Sequence, residues 1–189
     1  MSDSNKNDES ATLKKPVLRT QPSSYFNFNK RDISNFNIIG KIGQGSFGRV
    51  FLVSSKKSKN LYALKVIKKD LLVADRDILS IKRERFLLRS LKKNTFIVTL
   101  MHTFQDEVNL YFQMEYLNGG NIYDLMKRKL GFSEYDFLFY ISHIIVAISK
   151  LHEENIIYRD LKPENVMISH TDQIVKVTLQ LHEANIFRQ

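Results

Sequence analysis

The sequence predicts an α+β protein of two lobes, a strand-rich one followed by a helical one. Three observations carry this. Short runs of Val, Ile, Leu and Phe, bounded by glycine or polar turns, fill residues 38–67 and 96–114. Longer stretches suited to helices lie between them, at 75–91, and after them, at 122–129 and 133–153. A Gly119-Gly120 pair marks the break between the two regimes.

Taken in order, residues 1–24 are rich in Ser, Asn, Lys and Asp with almost no apolar clustering, and are expected to form a disordered arm. Order is expected to begin between residues 25 and 36. Residues 38–42 and 50–53 read as two strands joined by a glycine-rich turn. A polar turn at 56–60 leads into a third strand at 61–67. Residues 75–91 are charged and periodic, with Ile78, Ile81, Leu88 and Leu91 at helical spacing. Residues 96–100 and 108–114 read as a strand pair across a polar turn at 105–107. A short helix is expected at 122–129. Ser133, with acids at Glu134 and Asp136, marks a helix start, because carboxylates suit the positive end of a helix. That helix runs to Glu153, and its apolar residues between Phe137 and Leu151 cover nearly the whole circumference. A helix apolar all round requires burial all round, yet fewer than forty residues follow it and they hold no second such helix.

The formal charge of +9 is uneven. Residues 36–113 hold 15 Lys and Arg against 6 Asp and Glu, whereas 114–178 hold 7 against 9. A basic patch can attract nucleic acid or anionic lipid, but lysines spread along one half are read as a solvated surface, with no nucleic-acid partner expected. The chain has no cysteine, which excludes disulfides and thiolate metal sites and fits a reducing compartment. No signal-like segment appears at the N-terminus, and the most apolar stretch, 137–151, is too short and interrupted to span a bilayer. A soluble cytoplasmic protein without a transmembrane segment is the expectation.

Four motifs carry chemistry. The run Gly43-Gln44-Gly45-Ser46-Phe47-Gly48 is ambiguous alone. A dinucleotide fold needs a helix after it, but Arg49, Val50 and the next residues read as strand; a Walker A loop needs Gly-Lys-Ser/Thr at its end, which is missing. A phosphate-covering flap between two strands and a plain hairpin turn stay open. On the third strand Ala63 and Lys65 share a face, giving room for a flat base beside an ammonium. Glu84, nineteen residues on, can pair with Lys65, although Arg83 and Arg85 offer it a local alternative. The stretch Tyr158-Arg159-Asp160-Leu161-Lys162-Pro163-Glu164-Asn165 places an acid able to take a hydroxyl proton, a lysine and an amide in one loop.

With these motifs in this order, the chain resembles eukaryotic protein kinases, and the AGC group most. Tyr158 before Arg159-Asp160, and the stretch Met114-Glu115-Tyr116-Leu117-Asn118-Gly119-Gly120, point to that group. The resemblance covers residues 36–178. It implies an ATP-dependent serine/threonine protein kinase using ATP and Mg2+ on a protein substrate with a Ser or Thr acceptor, with any regulatory subunit left unidentified. The implied fold is a complete β-rich N-lobe at 25–113 and only the first part of the helical C-lobe at 114–178, followed by a non-homologous tail at 179–189. By the same resemblance, residues 43–49 cover the phosphates. Ile42, Val50 and Ala63 sandwich the adenine with Met167 below, Met114 guards the back of the pocket, and the backbone of Glu115 and Leu117 meets the adenine edge. Lys65 and Glu84 pair on the phosphates. Asp160 is the implied base, Lys162 steadies the γ-phosphate, and Asn165 binds one metal ion. Lys162 and Pro163 favour Ser/Thr over Tyr acceptors.

Two departures qualify the resemblance. Position 121, often an acid that holds the ribose, is Asn121, whose amide can still bond a hydroxyl. After the strand-like residues 174–178, where Asp-Phe-Gly is expected, stands Leu179-Gln180-Leu181. The metal-binding Asp is missing, as is the Phe that would pack beneath Leu88, Leu100 and Tyr158. Glu183 is badly spaced as a substitute ligand, and residues 181–186 echo 151–156 without a shared role. The chain is therefore read as an incomplete Ser/Thr kinase sequence, and little phosphoryl transfer is expected of it. A nucleotide- or partner-binding module of pseudokinase type and a non-functional fragment are the alternatives.

Overall fold

Strands β1 (Phe36–Gln44), β2 (Gly48–Ser55), β3 (Leu61–Lys68), β4 (Leu100–Gln105) and β5 (Asn109–Glu115) form an antiparallel sheet in the order β1-β2-β3-β5-β4. The computed structural model describes residues 32–45, 48–169, 174–179 and 186–188. The expected arm at 1–24, Ser46, Phe47 and residues 180–185 lie outside these. Helix α1 (Asp75–Ser90) lies between β3 and β4 in sequence, and its N-terminus is tied by the Asp77 carboxylate, which accepts the Ala74 N–H at 3.0 Å.

The second lobe holds α2 (Ile122–Lys129) and α3 (Glu134–Glu153) with two small antiparallel pairs. In one, β6 (Ile156–Tyr158) pairs with β9 (Ile186–Arg188); in the other, β7 (Val166–Ser169) pairs with β8 (Ile174–Val177). Helix α3 starts as its sequence dictates: Ser133 Oγ accepts the Asp136 N–H, and the Asp136 carboxylate accepts the Ser133 N–H. Asn121 caps α2 by accepting the Asp124 N–H at 2.8 Å.

Strand alternation divides the β3 side chains between two cores. Tyr62, Leu64 and Val66 join an outer cluster in which Phe36, Phe104 and Tyr111 stack, with ring centroids 5.9 and 4.7 Å apart. Ile67 faces the other way, into a core shared by both lobes: Ile81, Leu88, Leu100 and Phe112 from the first, Ala147, Leu151, Tyr158 and Val177 from the second. A third cluster, around Val166, Ile168 and Val175, receives Phe139, Tyr140 and Ile144 of α3.

One expectation is corrected. The strand expected at 96–100 lies at Leu100–Gln105. Residues 96–98 instead reach across to the second lobe: Val98 N–H bonds the Val177 carbonyl at 3.0 Å, and Val177 N–H bonds the Phe96 carbonyl at 2.8 Å. Helix α3 is left partly uncovered, as the shortage of residues after it implies: Phe137, Leu138 and Ile145 are each more than half exposed. None of the helices among the described residues is long and apolar enough to cross a membrane.

Candidate active site

A cleft of about 550 Å³ opens between the lobes, a size suited to a nucleotide. Its roof is β1, β2 and β3, which contribute Ile42, Gly43, Gln44, Val50, Ala63 and Lys65, with Gly45 just beyond the end of β1. Val50 is the register partner of both Gly43 and Lys65, and Ala63 pairs with Met114, so these side chains are brought together by the sheet. Gly48 does not line the cleft. A Cβ there would stand 2.3 Å from the Val66 carbonyl oxygen, so glycine is needed for the close approach of β2 to β3. Arg49 is exposed and also lies off the cleft wall.

At the inner end Lys65 Nζ meets Glu84 Oε1 at 2.7 Å, with side-chain exposures of 8% and 1%. The local alternative fails, because Arg85 Nε turns to Thr103 Oγ1 at 3.0 Å and Arg83 is exposed. Glu84 Oε2 is buried without a hydrogen-bond partner. The pair thus fixes α1 against the sheet and leaves the ammonium at the cleft wall with two further protons to offer.

The end of β5 and the linker from it to α2 form the back edge, with Met114, Glu115, Tyr116 and Leu117 on the wall. Glu115 is anchored in a way the sequence did not disclose. Its carboxylate receives Lys176 Nζ from β8 at 2.8 and 2.9 Å and the Thr99 N–H at 2.6 Å. Lys176 is buried. This ion pair bolts the inter-lobe linker to the strand beneath the cleft. Asn121 also lines the wall, but both ends of its amide are used on Asp124. A ribose hydroxyl would have to compete with the helix cap for it.

The floor is Met167 on β7 and the loop before it. In that loop Asp160 Oδ1 lies 3.1 Å from Lys162 Nζ, and Asp160 Oδ2 accepts Asn165 Nδ2 at 2.8 Å. Asn165 Nδ2 also bonds the Asp160 carbonyl at 2.8 Å, so the amide closes the loop on itself. The Asn165 carbonyl accepts the Thr178 N–H at 2.8 Å, and Tyr158 Oη donates to the Thr178 carbonyl at 2.8 Å. Burial, with the Asp160 charge adding to it, pushes the Tyr158 hydroxyl well above its ordinary pKa, so it stays a donor.

Leu179 follows directly. It is 4% exposed, lines the cleft, and packs in the shared core with Leu88, Leu100 and Tyr158. An aliphatic side chain occupies the first of the three positions where the resemblance implies Asp-Phe-Gly, and it joins the cluster expected of the Phe. The wall residues that sequence reasoning did not single out for the site are Leu88, Val98, Tyr116, Glu164 and Thr178. Their single signal is proximity to motif residues. Ser46 and Phe47 lie outside the described residues.

A five-stranded sheet over a partly helical lobe, with a cleft between them holding a lysine–glutamate pair and an Asp–Lys–Asn loop, is a protein-kinase architecture. The family model for the protein kinase domain matches residues 36–178, and the chain belongs to that family. It is 40% identical, over 90% of its length, to the probable serine/threonine protein kinase IREH1 of Arabidopsis thaliana. It is 36% identical, over 88%, to cAMP-dependent protein kinase type 3 of Saccharomyces cerevisiae, and 40% identical, over 80%, to ribosomal protein S6 kinase alpha-2 of Homo sapiens. AGC-group enzymes are thus among its relatives. The aligned parts make up 13%, 40% and 21% of those three proteins.

Proposed function

We propose that the chain binds adenine nucleotide in this cleft and derives from a serine/threonine protein kinase, but carries out little phosphoryl transfer as written. The observation that carries the reading is Leu179, buried where a metal-binding carboxylate is expected. The nucleotide fits the residues present: Ile42, Val50, Ala63 and Met167 offer apolar surfaces to a base, the backbone of Glu115 and Leu117 faces its edge, and Lys65 and Lys162 offer cations to its phosphates. ATP supplies the transferable phosphoryl group. Gly43, Gln44 and Gly45 on the cleft wall would lie over it, Asp160 would orient an acceptor hydroxyl of a Ser or Thr, and Lys162 would steady the terminal phosphate.

Magnesium does not fit equally well. It favours charged, hard oxygen ligands. Asn165 is neutral, both Asp160 oxygens are engaged within the loop, and Leu179 has none to give. A thousandfold loss of rate corresponds to about 4 kcal/mol of barrier, and losing a principal metal carboxylate accounts for at least that. The domain division proposed with this reading is a nucleotide-covering lobe at 25–113, then the linker and catalytic loop at 114–178.

Titration of the purified chain with ATP by calorimetry tests the binding half of this reading. One saturable site is expected, lost in Ala63→Phe, which fills the base slot. Binding unaffected by that substitution would place the nucleotide elsewhere.

A further inference from the structure

We propose that the cleft takes adenine nucleotide as the free anion and holds its phosphates with ammonium groups alone, without magnesium. This rests on the nucleotide-binding reading above and adds the ionic form of the ligand.

The donor set decides it. Among the described residues no three His, Asp or Glu side chains gather in a metal-binding cluster. In the loop that supplies Lys162 and Asn165 to the cleft wall, Asp160, itself off that wall, faces Lys162 at 3.1 Å and Asn165 at 2.8 Å. Leu179, next to the Thr178 that bonds the Asn165 carbonyl, adds an apolar side chain to the wall. A hydrated cation pressed against that wall loses water contacts and gains nothing in return. Two ammonium groups border the same space, Lys65 at the inner end and Lys162 at the outer. Each has three protons and is joined to one carboxylate, Glu84 or Asp160. The remaining protons suit phosphate oxygens. A magnesium ion on those oxygens would neutralise the charge that the lysines attract, while the protein offers it the neutral Asn165, an Asp160 already held by Lys162 and Asn165, and the exposed Glu164 of the cleft wall, with no buried carboxylate at 179. The metal therefore competes with the lysines rather than assisting them.

The test is ATP binding to the full chain by calorimetry, once in excess EDTA and once in excess magnesium. The dissociation constant is expected to be unchanged or about threefold lower in EDTA, since no metal screens the phosphate charge. Binding ten times tighter or more with magnesium overturns the proposal while leaving the nucleotide reading intact. Absence of binding in both conditions overturns both. Leu179→Asp should reverse the preference, making ATP binding tighter with magnesium than in EDTA. Because that variant places a charge in the core, Lys162→Met serves as the second arm. It should weaken ATP binding in EDTA by about tenfold, the loss of one charge-assisted contact, with adenosine binding unchanged. An unaltered ratio of ATP to adenosine affinity in Lys162→Met would refute a phosphate site built on ammonium groups.

Discussion

Removing the lysine of the buried pair is the most demanding test of the packing between α1 and the sheet. In Lys65→Met, Glu84 loses the partner of Oε1, and its Oε2 already has none. With 1% of its side chain exposed, the carboxylate has no access to water. Breaking a buried ion pair from one side costs about 3–5 kcal/mol, a large share of the roughly 5–15 kcal/mol that holds a domain together. The converse variant, Glu84→Leu, should cost less, about 1–3 kcal/mol, because Lys65 borders the cleft and can turn its ammonium towards water. Replacing both, as Lys65→Met with Glu84→Leu, removes both charges and should be milder than Lys65→Met alone. Urea unfolding of the three variants reads these values as shifts in midpoint at constant slope. If Lys65→Met and Glu84→Leu cost the same, or the double variant costs their sum, the pair is not the desolvated unit described here.

Three other outcomes follow from the geometry. Tyr111 Oη donates to Asp106 Oδ2 at 2.6 Å, and burial and this bond push its pKa up to about 12. Burial raises the Asp106 carboxyl, but bonds from Tyr111, Asn109 and Val108 outweigh it and leave the pKa lowered. Tyr111→Phe should lose about 1 kcal/mol at neutral pH, where Asp106 is charged. Asp106, depressed on folding, contributes stability above its unfolded value of about 3.9 and loses it as pH falls through the folded value, so parent and variant should converge in acid; a gap that widens in acid contradicts this. Gly119→Ala places a Cβ 2.5 Å from the Ile168 carbonyl oxygen and should cost about 1–3 kcal/mol in unfolding experiments. Leu138→Lys with Ile145→Lys, both on the exposed side of α3, should raise solubility with unfolding midpoints within about 0.5 kcal/mol of the parent.

Local signals were legible where chemistry and spacing act within one element. Ser133 and Asp136 begin α3, and Ile122–Lys129 is helical as its pattern predicts. The Lys65–Glu84 pair was also readable, because one strand face and one helix face left few partners. The strand at 96–100 was misplaced because residues 96–101 are almost uniformly apolar, so alternation could not separate a strand from a segment buried between lobes. The Glu115–Lys176 bolt joins residues 61 apart, and nothing in either neighbourhood marks it; only the β7–β8 hairpin brings Lys176 under the linker. Asn121 illustrates the opposite difficulty. Its type suits a ribose contact and a helix cap equally, and the fold uses it as a cap. The absence of an acid at 179 was visible in the sequence, but that Leu179 fills the core beside Leu88 required the packing.

The measurement that bears most directly on the central claim is turnover. Purified chain, magnesium, labelled ATP and a serine-containing basic peptide should yield phosphorylated peptide at no more than about a thousandth of the roughly 1–100 per second typical of protein kinases, because Leu179 supplies no carboxylate to the phosphate end of the cleft. Turnover near one per second by the chain as written would contradict the account.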